Sequence, residues 1–310
     1  MVKPMVKKGE EENSIPETKG SIPTIGYLYP AAGHWLLAGK RAGFKTQWVL
    51  EVGKPEIDTI TLNFPGIKIF SDPGTELKKV DVIVGSPPCK GFSTGHGTIK
   101  DLDCNQEILS FAEIATGLKP HTIVMENVPG LVKRFEGKYF KQLLATLTSA
   151  GYKIQWGLFN ARDYGGFQSR RRVLVLASLG QLPHFPSITP ARPVQDVIGD
   201  LVGKSPDFHP DHYGLPFPIP IFMNFQRLTA NKPSYTVSGY AYRIQHYSLK
   251  RALTLLELKR IMGLPDDWRL PGEEFTLKCR MIGEGVDINL LERVFYWIRQ
   301  SLEKCGVYHG

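Results

Sequence analysis

Three short stretches of this chain carry residue types that do covalent chemistry when they are brought together. Pro87-Pro88-Cys89 sets a cysteine on a turn, where its thiolate can act as a nucleophile. Glu126-Asn127-Val128 offers a carboxyl that can pass a proton. Gln168-Ser169-Arg170-Arg171-Arg172 offers guanidinium groups, whose fixed donors suit an anionic backbone. Together they suit attack on a ring base that is too electron-rich to react unaided. The bland alternatives are a small buried hydrophobe for Cys89 and a solvated surface cluster for the arginines.

The elements that must position these residues are legible as an alternation of short β-branched runs and helical stretches. That alternation predicts a parallel sheet wrapped by helices. Thr24–Leu28 reads as a first strand, 34–42 as the helix after it, 46–51 as a second strand, and Pro55-Glu56 as the start of a helix. Residues 80–85 form a continuous apolar strand ending at the prolines before Cys89, and 122–125 form another ending at Glu126. Both reactive groups thus sit at carboxyl ends of strands, where open α/β sheets bind ligands. Arg170 and Arg172 alternate on a strand entering Val173, so they share one face.

Residues 183–220 are proline-rich with little apolar period and read as a loop-rich insertion. Regular pattern returns at Leu253 to Glu257, with Thr254 as a helix cap and Glu257 at the capping-box position. Residues 289–304 form an amphipathic final helix. The expected organisation is a disordered tail over 1–21, an α/β domain over 22–180, a small recognition region over 181–245, and a returning segment over 246–310.

The chain has 310 residues, a net charge of +8 and a pI near 9.2, which point to an anionic partner. Nine Lys/Arg against two Asp/Glu fall between Lys133 and Arg172, beside the reactive stretches. No apolar run approaches the ~20 residues of a membrane span, and the amino terminus lacks a secretory core. Four cysteines without a CxxC pair argue against a disulfide framework and a zinc ribbon, and predict an intracellular, cytoplasmic setting. Asp207-x-His209-x-x-His212 lacks a third ligand, so no metal is expected.

Pro-Cys-x-x-Phe-Ser at 88–93, Glu-Asn-Val at 126–128 and Gln-x-Arg-x-Arg at 168–172, in this order, closely resemble the DNA cytosine-5 methyltransferases. Met262-Gly263-Leu264-Pro265-Asp266 and Pro233-Ser234-Tyr235-Thr236-Val237 resemble two of that family's bracing stretches. The resemblance implies a Rossmann-like class I methyltransferase sheet with helices on both faces, plus a small loop-rich target-recognition region. It implies that Cys89 adds to C6 of a flipped-out cytosine. Glu126 would contact N3 and the exocyclic amine, with burial raising its pKa. Arg172 would hold O2 and a phosphate, and Arg170 would brace the catalytic loop. Lys90, where the family commonly has glutamine, would favour the thiolate.

S-adenosylmethionine is the cofactor the resemblance implies, bound by Tyr29, Ala31, Gly33, His34, Glu51, Asp72, Pro87, Glu284 and Val286. Ser93, Lys133, Arg134, Gln168, Arg171 and Arg227 would contact double-stranded DNA. A monomer is implied, working beside a cognate restriction endonuclease without a stable complex. Two stretches depart from the pattern. The glycine loop reads Tyr29-Pro30-Ala31-Ala32-Gly33-His34, two glycines short, and the family's Gly-Asn-Ala-Val is Gly283-Glu284-Gly285-Val286. Glu284 is expected where the cofactor's sulfonium and tail lie, with Ala31 and His34 narrowing or recharging the opposite wall. Three alternatives stay open: a catalytically impaired DNA-binding relative, an RNA cytosine methyltransferase, and a transferase using decarboxylated S-adenosylmethionine.

Overall fold

The computed structural model describes residues 22–93, 103–182, 185, 188–213, 226–304 and 306–307. The expected tail, Cys305 and parts of the proline-rich segment lie outside the described residues.

Seven strands form one sheet: β1 (Thr24–Leu28), β2 (Lys45–Leu50), β3 (Ile69–Phe70), β4 (Val82–Gly85), β5 (Thr122–Asn127), β6 (Lys153–Asn160) and β7 (Arg171–Ser178). Their order is β3-β2-β1-β4-β5-β7-β6. Pairs up to β4–β5 are parallel, whereas β7 runs antiparallel between β5 and β6. β4 and β5 are buried along their whole length, which explains their unbroken apolar character.

Successive residues of a strand point to opposite faces, and each face has its own core. Val82, Val84 and Val124 enter one core with helices α1 (His34–Arg41), α7 (Leu255–Ile261), α8 (Phe275–Glu284) and α9 (Ile288–Lys304). Ile83, Ile123 and Met125 enter the other with α3 (Glu107–Leu118) and α5 (Lys138–Ser149). α2 (Lys54–Asn63) follows β2, and a single turn, α4 (Gly130–Lys133), follows β5. α9 returns to the first helix, with Phe295 5.9 Å from the Trp35 ring.

Boundaries differ from the sequence expectation where side chains compete for the backbone. Asp81 leaves the fourth strand to accept from the Thr24 amide and hydroxyl, so β4 begins at Val82. Glu126 lies inside β5, which continues to Asn127. The cap of α7 is as predicted: Thr254 Oγ1 accepts from the Glu257 amide and Glu257 returns a carboxylate to the Thr254 amide.

Within 189–213 the chain is mostly irregular, with a short α-helix, α6 (Gln195–Ile198), and two 3-10 turns at Gly199–Leu201 and Pro206–Phe208. A two-stranded piece joins β8 (Gln226–Arg227) to β9 (Ile244–Gln245). Val194, Ile198, Leu228, Val237 and Ile244 from this region share the core of the α1 face.

Candidate active site

β1 and β4 lie side by side, and the chain leaves them in opposite directions across the sheet. The loops after them therefore meet at one crevice, the topological switch point. The loop after β4 carries Cys89, and its turn is closed by the Phe92 and Ser93 amides donating to the Cys89 carbonyl at 2.9 and 3.0 Å. Pro87, in the same loop, accepts from Asn127 Nδ2 at 3.0 Å. Asn127 thereby fastens this loop to β5.

Cys89 is half-buried. Burial pushes its thiol up, Arg172 and Arg170 pull it down, and Glu126 and Glu284 push it up again. The Lys90 side chain is exposed, and its charge acts on Glu284.

Glu126 is buried, and Arg172 Nε lies 2.6 Å from its Oε1. The antiparallel register sets this contact: Glu126 pairs with Leu174 and Asn127 with Val173, which leaves Arg172 just past the end of β5. Arg172 Nη1 also donates to the Arg171 carbonyl at 2.7 Å.

Arg170 precedes β7 and is fully buried. It donates to the carbonyls of Val237 at 2.7 Å, Gly283 at 3.0 Å and Gly285 at 2.6 Å. It therefore braces the returning segment, and among the described residues none of these bonds goes to the Cys89 loop. Burial is the main cause that brings its pKa down to about 9, so the cation persists at neutral pH.

Gln168 is corrected more sharply. No part of it is exposed, and it cannot face DNA. Its amide donates to Asp287 at 2.7 Å and accepts from the Val237 amide at 2.9 Å. Asp287, which the sequence reading missed, also caps α9 by accepting from the Asn289 amide at 3.0 Å.

Across the crevice, the loop after β1 keeps left-handed backbone at two positions where the family pattern has glycine, with φ of +52° at Ala31 and +87° at Gly33, and adds a third at Tyr29, where φ is +53°. Ala31 is held there by its amide, which donates to Glu51 Oε2 at 3.1 Å. Tyr29 does not line an open pocket: its ring is buried and its hydroxyl donates to Glu107 at 2.8 Å.

His34 is wholly buried below this loop. Burial above all, then Arg170, brings its pKa down to about 3. A neutral imidazole overturns the expectation that it recharges the pocket wall. It occupies room that exists because residue 285 is glycine, since a Cβ there would fall 2.1 Å from His34 Nδ1. His34 and Gly285, one from each departing stretch, are thus one packing exchange.

Glu51 ends the β2 side. It accepts from Val52 and Gly53 amides through Oε1 and from Ala31 through Oε2. Burial, its main perturbation, pushes its pKa up to about 7. Glu284 shares a hydrogen bond with Glu56 of α2, and Arg280 lies 3.7 Å from Glu56 and 3.8 Å from Glu284. Burial raises the Glu284 carboxyl above its usual range, Arg280 opposes that, and Glu56 adds to it. Glu284 therefore lies against α2 with a counter-charge of its own, although it still acts on the Cys89 thiol. Sequence reasoning missed Glu56 and Arg280 because neither belongs to a motif. Asp72 is exposed beyond β3 and accepts from the Gly74 amide at 2.9 Å. Pro87 and Val286 are buried at the ends of β4 and α8. An acceptor pair on Glu51 and an acidic face beside the thiol suit a ligand with vicinal hydroxyls and a cationic centre.

Of the expected phosphate contacts, Lys133 and Arg171 are exposed. Arg227 donates to the Tyr247 carbonyl at 3.1 Å, and Ser93 lies at the end of the Cys89 turn. Arg134 is turned inward, with Nη1 3.0 Å from the Ser93 carbonyl and 3.4 Å from that of Gly91.

A profile of the family described as C-5 cytosine-specific DNA methylase matches residues 28–215 and 213–300. Type II methyltransferase M1.HphI of Haemophilus parahaemolyticus is 27% identical over 308 positions, covering 84% of this chain and 82% of that protein. Type II methyltransferase M.NgoPII of Neisseria gonorrhoeae is 24% identical, covering 94% and 100%. Among solved structures, the Entamoeba histolytica methyltransferase EhMeth matches with a TM-score of 0.72 at 14% identity, covering 91% of this chain and 99% of that one. That likeness speaks for the fold.

Proposed function

The chain belongs to the C-5 cytosine-specific DNA methylase family and is a DNA cytosine C5-methyltransferase; on that premise we propose how its residues divide the work. The Cys89 thiolate adds to C6 of a cytosine swung out of the duplex, and the ring electron pair moves toward C5. Glu126, held by Arg172, contacts the N3 and amino edge and stabilises the ring as it gains density. Arg172 offers its remaining donors to O2. Once C5 carries the new methyl group, its proton leaves to solvent and the Cys89 sulfur is expelled as the C5–C6 double bond returns.

The family uses S-adenosylmethionine, and the residues of the crevice fit it. Glu51 would take the ribose hydroxyls, Asp72 the adenine amine, and the loop 29–33 would lie along the nucleoside. The Glu56–Glu284 face would meet the cationic centre, with Arg280 limiting its net charge. When bound, S-adenosylmethionine supplies an electrophilic methyl group. No charge in the crevice requires the decarboxylated form.

Residues 181–245 would read the target sequence, and a restriction endonuclease would act on the same sequence in a separate protein. Among the described residues no helix is long and apolar enough to cross a membrane.

The observation that carries this reading is the Glu126–Arg172 pair beside a half-buried Cys89. Cys89→Ser should abolish transfer and leave DNA affinity intact, because a hydroxyl is far less acidic than a thiol. DNA containing 5-fluorocytosine should capture the unaltered protein covalently when S-adenosylmethionine is present. Failure of that capture, with methylation still running, would rule out Cys89 as the nucleophile.

A further inference from the structure

The turn that carries Cys89 is gripped at its far end by the segment between α4 and α5. Arg134 Nη1 donates to the carbonyls of Ser93 and Gly91. Gly130 lets the first turn of α4 press on the loop, because a Cβ there would fall 2.0 Å from the Phe92 carbonyl oxygen. The Phe92 ring, 1% exposed, makes edge contacts with Phe135 at 5.9 Å and Tyr139 at 5.6 Å. Phe135 and Tyr139 meet each other at 6.1 Å. Carbonyls 91 and 93 are therefore bonded, carbonyl 92 closely approached and the Phe92 ring packed, all by residues between Gly130 and Tyr139.

The backbone of that element is bent to make these contacts. Phe135, Glu136 and Gly137 are left-handed in succession, with φ of +51°, +54° and +70°. Two of the three are not glycine, and such backbone persists only where its surroundings impose it. Here it directs Phe135 onto Phe92 while Arg134, extended just before it, reaches the carbonyls on either side. The grip reaches Cys89 directly, since the Cys89 carbonyl takes the amides of Phe92 and Ser93.

We propose that Arg134 is a positioning residue, seating the Cys89 turn through the Gly91 and Ser93 carbonyls, and that the left-handed turn after it exists to complete that seat. The proposal rests on Cys89 being the nucleophile. It replaces the expectation that Arg134 holds a phosphate, and the two roles differ in what a substitution changes. A phosphate contact lives in affinity and its salt dependence, and lysine substitutes for it well. A seat lives in the chemical step, because small displacements of a nucleophile are costly. A single ammonium also cannot reproduce the guanidinium's approach to two carbonyls.

The test compares Arg134→Met, Arg134→Lys and Cys89→Ser in the full chain. It measures kcat, the rate of covalent capture on 5-fluorocytosine DNA, and duplex affinity across salt. Arg134→Met should lower kcat and the capture rate together by roughly tenfold to a hundredfold, with affinity and salt slope unchanged. Arg134→Lys should recover little of the loss. Should Arg134→Met not fold, Arg134→Lys carries the test by the same readouts. Weakened affinity with a shallower salt slope, unchanged kcat and rescue by lysine would overturn the proposal. Full kcat in either folded variant would overturn it too. Methylation by Cys89→Ser would instead remove the nucleophile assignment on which the proposal stands.

Discussion

Asn127 reaches from the last position of β5 to the carbonyl of Pro87, 3.0 Å away and 40 residues earlier. The strand holding Glu126 and the loop holding Cys89 are thereby one mechanical unit. Charges at Glu126 and Arg172 act on the thiol at fixed separation, not through flexible arms.

That coupling makes the thiol's titration a reporter of the site. Glu126 raises the Cys89 pKa and Arg172 lowers it. In Glu126→Gln the pH midpoint of iodoacetamide alkylation should move down, and in Arg172→Gln it should move up. Glu126→Gln should also lower kcat by roughly a hundredfold or more, as expected for a lost proton-passing group. Shifts in the same direction for both variants would contradict the arrangement.

His34 and Gly285 should behave as a pair. Gly285→Ala alone places a methyl group into the imidazole, and overpacking of this kind costs about 1–3 kcal/mol. His34→Gly should make room for it, so the double variant should lose less stability than the two single losses added together. Urea denaturation of all four proteins measures the coupling; strict additivity would show that the two positions are independent.

Glu51 sets a pH signature. Its folded pKa of about 7 lies above that of an exposed carboxyl, so the folded state holds a proton that the unfolded chain releases first. The stability tied to this group is fully present below about pH 4.5 and is lost as pH rises through about 7. The stability of the parent relative to Glu51→Gln should therefore fall by up to roughly 3 kcal/mol across that window and then level off. Denaturation without cofactor at four or five pH values checks it, and a flat difference would contradict the burial argument.

The phosphate-facing residues divide by exposure. Lys133→Ala and Arg171→Ala should each lower the salt slope of duplex binding by about one, measured by fluorescence anisotropy. Gln168→Ala should leave the slope alone. It should cost about 1–3 kcal/mol in stability by stripping buried Asp287 of a donor.

Much of this was legible in the chain itself. The apolar runs of β4 and β5, the cap of α7, and the placing of Cys89 in the loop after β4 and of Glu126 near the end of β5 follow from local pattern, and local pattern survives folding. The direction of β7 does not, because an apolar run such as Val173 to Ala177 reads the same parallel or antiparallel. Gln168 was misread because its partners at 237, 262 and 287 lie 69, 94 and 119 residues away. Arg134 was misread for the same reason, since a basic cluster on paper does not say which guanidinium turns inward. His34 and Gly285 each appeared as a separate loss from the family pattern, and only contact reveals them as complementary.

Arg170 has a consequence for how the molecule comes into being. Its guanidinium is emerging from the ribosome long before the carbonyls of Val237, Gly283 and Gly285 that will satisfy it. A chain stopped short of Gly283 has the thiol, the carboxyl and the sheet, but it also has a cation with nowhere to be buried, and the crevice cannot close around it. Emergence of the stretch through Gly285 is then the step that lets the crevice form, and a fragment cut off before it should be unable to mark DNA.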